Sequence, residues 1–261
     1  YVDGGAPQRF SVPEIFQKLA RNENSFRPGT CFLYPNQLPQ DFLKCDDLQF
    51  SGSTKVLLWG DSHAAHLYEG IRLNYEKSFQ LFQRTAAECP PRTPNDDTWI
   101  HCKKINEYVL SWIEKEQPEA IILSALWASH NVAEIKALLP KLKSMTSAKI
   151  ILIGPDPSWP QPLPRLLQNL VKARTNHNIP SRVLYKNLDE DLQLDKIIGA
   201  IALENGIEYE SVMKILCDDQ GCLVVAGNNS HHLLSWDNGH FTEQGSAYVV
   251  SQFKSLSHLV H

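Results

Sequence analysis

Several things are missing from this chain of 261 residues. It has no basic excess: 25 Lys and Arg stand against 29 Asp and Glu, a net charge of −4, so the cationic surplus of a nucleic-acid binder is not there. No apolar run approaches the roughly 20 residues of a membrane-spanning helix, so the chain reads as soluble, with any membrane link outside it. Repeats and compositional bias are absent, which excludes a disordered or fibrous chain. There is no CxxC to suggest a zinc site and no glycine-rich loop to cradle phosphate, so neither a metal nor a bound nucleotide cofactor is expected. The sequence starts at Tyr1 with no secretory leader pattern, which reads as a processed protein or a piece of a longer one.

Hydrophobic residues make up 43% of the chain, enough for a sizeable core, and the length fits one large domain or one domain plus a smaller appendage. The six cysteines fall as three local pairs: Cys31 and Cys45, Cys89 and Cys102, Cys217 and Cys222. Six cysteines allow 15 connectivities in principle, but short loops cost least entropy to close, which favours these local disulfides over free thiols. Disulfides in turn imply an oxidising compartment.

Residues 1–52 differ from the rest. They hold Gly4, Gly5 and five prolines, no long apolar strand and one short helical stretch over 12–19. This reads as an extension packed on a main domain of residues 53–261, stapled by Cys31 and Cys45. From Lys55 apolar runs alternate with helical periodicity. Strands are expected at 55–59, 79–83, 120–123, 149–153 and 207–209. Helices are expected at 64–75, 98–116, 132–145, 163–174, 188–205 and 242–256. Prolines 155, 157, 160, 162 and 164 force a long loop after the fourth strand. Such alternation gives an α/β fold, a mostly parallel sheet covered on both faces, with its site beyond the carboxyl ends of the strands.

Two segments carry chemistry. Gly60-Asp61-Ser62-His63 follows the first strand and opens the first helix, where free N–H groups can stabilise an oxyanion beside the Ser62 hydroxyl. Asp237 and His240, three residues apart before the last helix, have the spacing for a carboxylate to orient an imidazole toward a serine. Read singly, each has a plainer meaning, Ser62 as a helix N-cap and Asp237 as a cap beside a surface His240.

Together the two segments resemble the SGNH hydrolase superfamily, which includes GDSL-type esterases. More narrowly the chain resembles the periplasmic SGNH domains fused to membrane acyltransferases of family 3. The matching pieces are VLLWGDSHAAHLYEGI, Thr85-Ala86-Ala87-Glu88-Cys89-Pro90-Pro91, IILSALW, ILIGPDP, the Cys217 to Cys222 bridge and WDNGHFTEQGS, over roughly residues 53–256. The resemblance implies a three-layer α/β/α sandwich with a flavodoxin-like sheet. It implies Ser62 as nucleophile, His240 as base and Asp237 as its partner. Asp61, His63 and Trp127, at the carboxyl ends of strands, are candidates to line the substrate, with a buried core position an equal reading for Trp127. The resemblance also implies acetyl transfer to a hydroxyl of a bacterial surface polysaccharide such as the lipopolysaccharide O-antigen, in the periplasm. No acetyl-CoA site is visible in this chain, so the acetyl group would arrive from an N-terminal transmembrane acyltransferase domain, with acetyl-CoA as ultimate donor. A secreted carbohydrate or lipid acetylesterase and a non-catalytic glycan-binding module are the alternatives.

The chain departs from the general superfamily pattern in two blocks. After the second strand it has Thr85-Ala86-Ala87 without glycine, and after the third it has Ser124-Ala125-Leu126-Trp127 without GxND. Asn131 is displaced from the asparagine position. The Ser62 N–H is then one oxyanion donor, and the second is unassigned. His63 and His66 sit at helical spacing for a metal pair but lack an evident third ligand. His231 and His232 read as solvated, and Trp159 and Trp236 as packing residues with some capacity to stack on sugar.

Overall fold

The structure, a computed structural model, describes residues 23–45, 50–173, 179–227 and 232–259. The helical stretch expected over 12–19 and His231 lie outside them.

Six parallel strands form the main sheet, in the order β1-β3-β2-β4-β5-β7. They are β1 (Phe32–Leu33), β2 (Thr54–Gly60), β3 (Phe79–Ala86), β4 (Ala120–Ser124), β5 (Lys149–Ile153) and β7 (Glu208–Glu210). The apolar runs of β2, β4 and β5 carry Val, Ile and Leu with no polar alternation because both faces are covered. Val56 and Leu58 point to one layer, against Leu67, Ile71, Val249 and Val250. Leu57 and Trp59 point to the other, against Ile105, Val109, Ile113, Leu138 and Ile198. Each such side chain, fully buried, contributes about 1.5–3 kcal/mol. Trp59 meets its polar need deep in this layer by donating Nε1–H to Asn106 Oδ1 at 3.0 Å.

The helices match these layers. On the Val56 side lie α1 (Ser62–Ala65), α2 (Tyr68–Tyr75), α5 (Leu163–Ala173), α7 (Val212–Leu216), α8 (Glu243–Ser251) and α9 (Lys254–Ser257). On the Trp59 side lie α3 (Ile100–Glu116), α4 (Val132–Met145) and α6 (Leu188–Glu204). Among the described residues no helix is long and apolar enough to cross a membrane.

Besides the short β1 and α7, which were not expected, three features differ from expectation. The helix expected over 64–75 breaks at His66 and Leu67, where the Phe241 N–H donates to His66 Nδ1 at 3.3 Å. The helix expected over 242–256 breaks at Phe253, whose extended backbone lets the Ser255 N–H and hydroxyl reach the Glu210 carboxylate. A small antiparallel sheet of β6 (Arg182–Val183), β9 (Gly221–Leu223) and β8 (Cys217–Asp218) was not expected. Its strands are too short to show a period.

All three disulfides form as the spacing suggested: Cys31–Cys45, Cys89–Cys102 and Cys217–Cys222. The first two close loops worth about 3 kcal/mol each on the chain-entropy model. Cys31–Cys45 fixes the extension where β1 pairs with the end of β3. The Thr85 N–H donates to the Cys31 carbonyl at 3.1 Å and the Ala87 N–H to the Leu33 carbonyl at 2.9 Å.

Candidate active site

β2 lies between β3 and β4, where the chain's crossovers diverge to opposite sides, so a crevice opens beyond its carboxyl end. The strand must end on Gly60. A Cβ there would stand 1.7 Å from the Ser124 carbonyl oxygen of β4. Asp61 then caps α1, its Oδ1 accepting the His63 N–H at 2.8 Å. The Leu126 N–H also donates to this carboxylate, at 3.0 Å to Oδ2. Asp61 is thereby turned inward and buried, joining two loops rather than lining the substrate as expected. Burial raises its pKa, against the opposing pull of His63 and the two N–H donors. Ser62 is the first residue of α1, so its N–H has no carbonyl to meet within the helix.

The second segment is a tight loop closed by the Trp236 N–H donating to the His240 carbonyl at 3.1 Å. Asp237 Oδ1 accepts the N–H groups of Gly239, at 3.0 Å, and His240, at 2.8 Å. Its Oδ2 lies 2.7 Å from His240 Nδ1, and His240 Nε2 lies 2.8 Å from Ser62 Oγ. The structure thus brings Ser62, His240 and Asp237 into one hydrogen-bonded chain. Burial pushes the Asp237 pKa up, but the bonds from the imidazole and the two N–H groups together hold it below the usual value. With the carboxylate charged, Nδ1 carries the proton and Nε2 is free to accept the serine hydroxyl. Trp236 stacks on the imidazole, 5.3 Å between centroids and 13° between planes, and Phe26 of the extension approaches to 5.5 Å.

A second imidazole–carboxylate pair stands beside the first. His63 Nδ1 lies 2.7 Å from Asp156 Oδ2, and the rings of His63 and His240 are 4.6 Å apart. Burial lowers the His63 pKa, but the Asp156 bond and charge outweigh it and raise the value overall. Sequence reading missed Asp156. It follows Gly154 and Pro155 directly after β5, and that position at the sheet's carboxyl edge was the available signal. His63, His66 and Asp156 offer ligand atoms within 4.8 Å of one another, so the third partner missing for a metal pair is present. His63 Nδ1 is hydrogen-bonded to Asp156, whereas His66 Nε2 is buried with no hydrogen-bond partner among the described residues. The Phe241 N–H occupies His66 Nδ1, which puts the His66 proton on Nε2, 3.5 Å from Asp156 Oδ2. That nitrogen has no lone pair for a cation. Burial, with the neighbouring His63 and His240, holds the His66 pKa well below its ordinary value.

Trp127 is buried in the Trp59-side layer and donates Nε1–H to the Ile153 carbonyl at 2.7 Å, so it supports the site from below rather than lining it. Trp159 is packed and His232 exposed, both as the sequence suggests. Trp236 is the tryptophan beside the reacting groups. The Ala87 N–H, in the block where the general pattern has glycine, is taken by Leu33 of the extension. Asn131 Oδ1 accepts the Ala128 N–H at 2.9 Å, and its amide donates to Glu134 at 3.1 Å. It is committed to the start of α4. Asn131→Ala is therefore expected to change ester turnover by less than about tenfold in steady-state assays, against about 10²–10³-fold for a true oxyanion donor.

A family model described as an SGNH domain (fused to AT3 domains) matches residues 30–255. The periplasmic domain of a lipopolysaccharide acetyltransferase from Salmonella ser. Paratyphi A shares this fold with a TM-score of 0.74 and 23% identity, covering 95% of this chain and 98% of that one. An aryl esterase from M. smegmatis aligns at a TM-score of 0.47 and 12% identity, over 80% of this chain and all (100%) of that one. A carbohydrate acetylesterase family member from Sinorhizobium meliloti aligns at 0.45 and 9%, over 79% and 98%. No curated protein matches the sequence.

Proposed function

Since the chain belongs to the SGNH domains fused to AT3 domains, we propose that it is the acyl-transferring part of an O-acetyltransferase acting on a bacterial surface polysaccharide. The observation that carries this reading is the continuous chain from Ser62 Oγ through His240 to Asp237, at 2.8 and 2.7 Å.

The reaction has two halves. His240 Nε2 takes the Ser62 proton as Oγ attacks the acetyl carbonyl, and the donor's oxygen leaves with that proton. The product is an acetyl ester on Ser62. A carbohydrate hydroxyl then gives its proton to the same Nε2 as its oxygen attacks the ester carbonyl. Ser62 Oγ leaves and recovers the proton. Asp237 holds the tautomer and stabilises the imidazolium in both halves. The Ser62 N–H is one donor to the oxyanion. Water in place of the sugar gives the esterase reaction through identical steps.

The donor acetyl group would come from an attached membrane domain, ultimately from acetyl-CoA, with no cofactor held in this chain. Three disulfides suit an oxidising compartment. The similar acetyltransferase domain is described as periplasmic, and we place this one there too.

The test is to quench the domain during turnover of p-nitrophenyl acetate and map the peptides by mass. The expected result is acetyl on Ser62, and acetylated product when a glycoside is added. Acetyl release with Ser62 never modified would overturn the reading.

A further inference from the structure

The Asp156–His63 pair is not used by the two half-reactions above, yet it faces the same space. His63, Asp156, Leu126, Asn238, Gly239 and His240 line one cavity of about 180 Å³. His63 Nδ1 is committed to Asp156, whose carboxylate is itself buried. His63 Nε2 has no bonding partner among the described residues and, unlike His66 Nε2, is not sealed off from solvent. A Cβ at Gly239 would stand 3.0 Å from His63 Cε1 and 3.7 Å from Nε2, so glycine keeps this edge of the ring clear. Leu126, 57% exposed, adds an apolar lip. An imidazole fixed by a carboxylate, with its far nitrogen open to a cavity, is a group held ready for a ligand. Its ring lies 4.6 Å from that of His240, a spacing that neighbouring hydroxyls of one sugar ring can bridge.

We propose that His63, positioned by Asp156, is a specificity-determining residue whose Nε2 holds a second hydroxyl of the carbohydrate acceptor beside the hydroxyl that His240 deprotonates. This rests on the transfer reading above. A hydroxyl can donate to neutral Nε2 or accept from the charged ring, so the contact serves either state. It draws a polyol into line for attack and gives water or a simple alcohol no such advantage.

The experiment measures partition of the acetyl-enzyme. The domain turns over p-nitrophenyl acetate with either methyl glucoside or methanol present, and acetylated acceptor is divided by acetate released. Both products arise from one intermediate, so damage to folding or to His240 cancels in the ratio. In wild type the glucoside should outcompete methanol, mole for mole, by at least about tenfold. His63→Asn keeps a group near the Asp156 bond and loses the cavity-facing nitrogen. It should lower the glucoside ratio at least about tenfold while the methanol ratio stays within about threefold. His63→Gln, which restores a polar atom near Nε2, should recover part of the loss. Equal wild-type partition to both acceptors, or equal changes for both in His63→Asn, overturns the role of His63 alone. A wild-type domain that acetylates methanol but no glycoside overturns the carbohydrate reading and this one with it.

Discussion

Replacing Ser62 with alanine is expected to lower hydrolysis of p-nitrophenyl acetate by about 10⁴-fold or more. Without Oγ no acetyl-enzyme can form, and His240 and the oxyanion donors are left to activate water directly, a far weaker arrangement. The loss should fall on turnover and not on folding. Asp61, not Ser62, caps α1, so the alanine removes one half-exposed hydrogen bond, worth about 1 kcal/mol. In the complete protein, mass analysis of the surface glycan should find no acetylation at an unchanged protein level. Full acetylation by a well-expressed Ser62→Ala protein would take Ser62 out of the reaction and favour a glycan-binding role for the domain.

Gly60→Ala is expected to have the largest effect on stability. Its Cβ would meet the Ser124 carbonyl oxygen at 1.7 Å and the Ala64 Cβ at 2.7 Å. The first is backbone in the middle of the sheet and cannot rotate aside, so β2 and β4 must separate where they support the crevice. A cost of about 3 kcal/mol or more follows, seen as a fall in Tm of about 6–12 °C. Ester turnover should fall as well, because Ser62 is two residues away. Urea unfolding with an unchanged midpoint would show that the strands can open there at no cost.

The parts legible from sequence were those encoded locally. β2, β4 and β5 are apolar runs buried on both faces, and α3, α4 and α6 carry long periodic stripes, so each was visible within its own residues. Asp237 and His240 have a spacing that suggests their contact, and the family resemblance added Ser62 from the second segment. What was not legible depends on distant partners. β1 is two residues long and exists because β3 accepts it. The helix breaks at His66 and Phe253 come from Phe241 and Glu210, far along the chain. Asp156 sits in a proline-rich loop and gains meaning only when β5 carries it up to His63. Asp61 and Trp127 were expected to face the substrate because they flank the right strand ends. The direction of a side chain at such an end is set by which neighbouring N–H or carbonyl needs a partner, and both were claimed for that purpose.

The pairing of β1 with β3 also bears on how the edge of the sheet is protected. β3 is eight residues long, and without cover its outer rim would offer a row of open amides and carbonyls to any other extended chain, the usual starting point of aggregation. Cys31 and Leu33 occupy the N–H groups of Thr85 and Ala87, and the Arg84 guanidinium folds back onto the Gln83 carbonyl at 2.8 Å. At the opposite rim, β7 is only three residues long and bears Glu208 and Glu210. The Cys31–Cys45 bond is therefore a guard against self-association as much as a source of stability. A reductant that opens it would loosen the two residues of β1 that cover Thr85 and Ala86 at the end of β3.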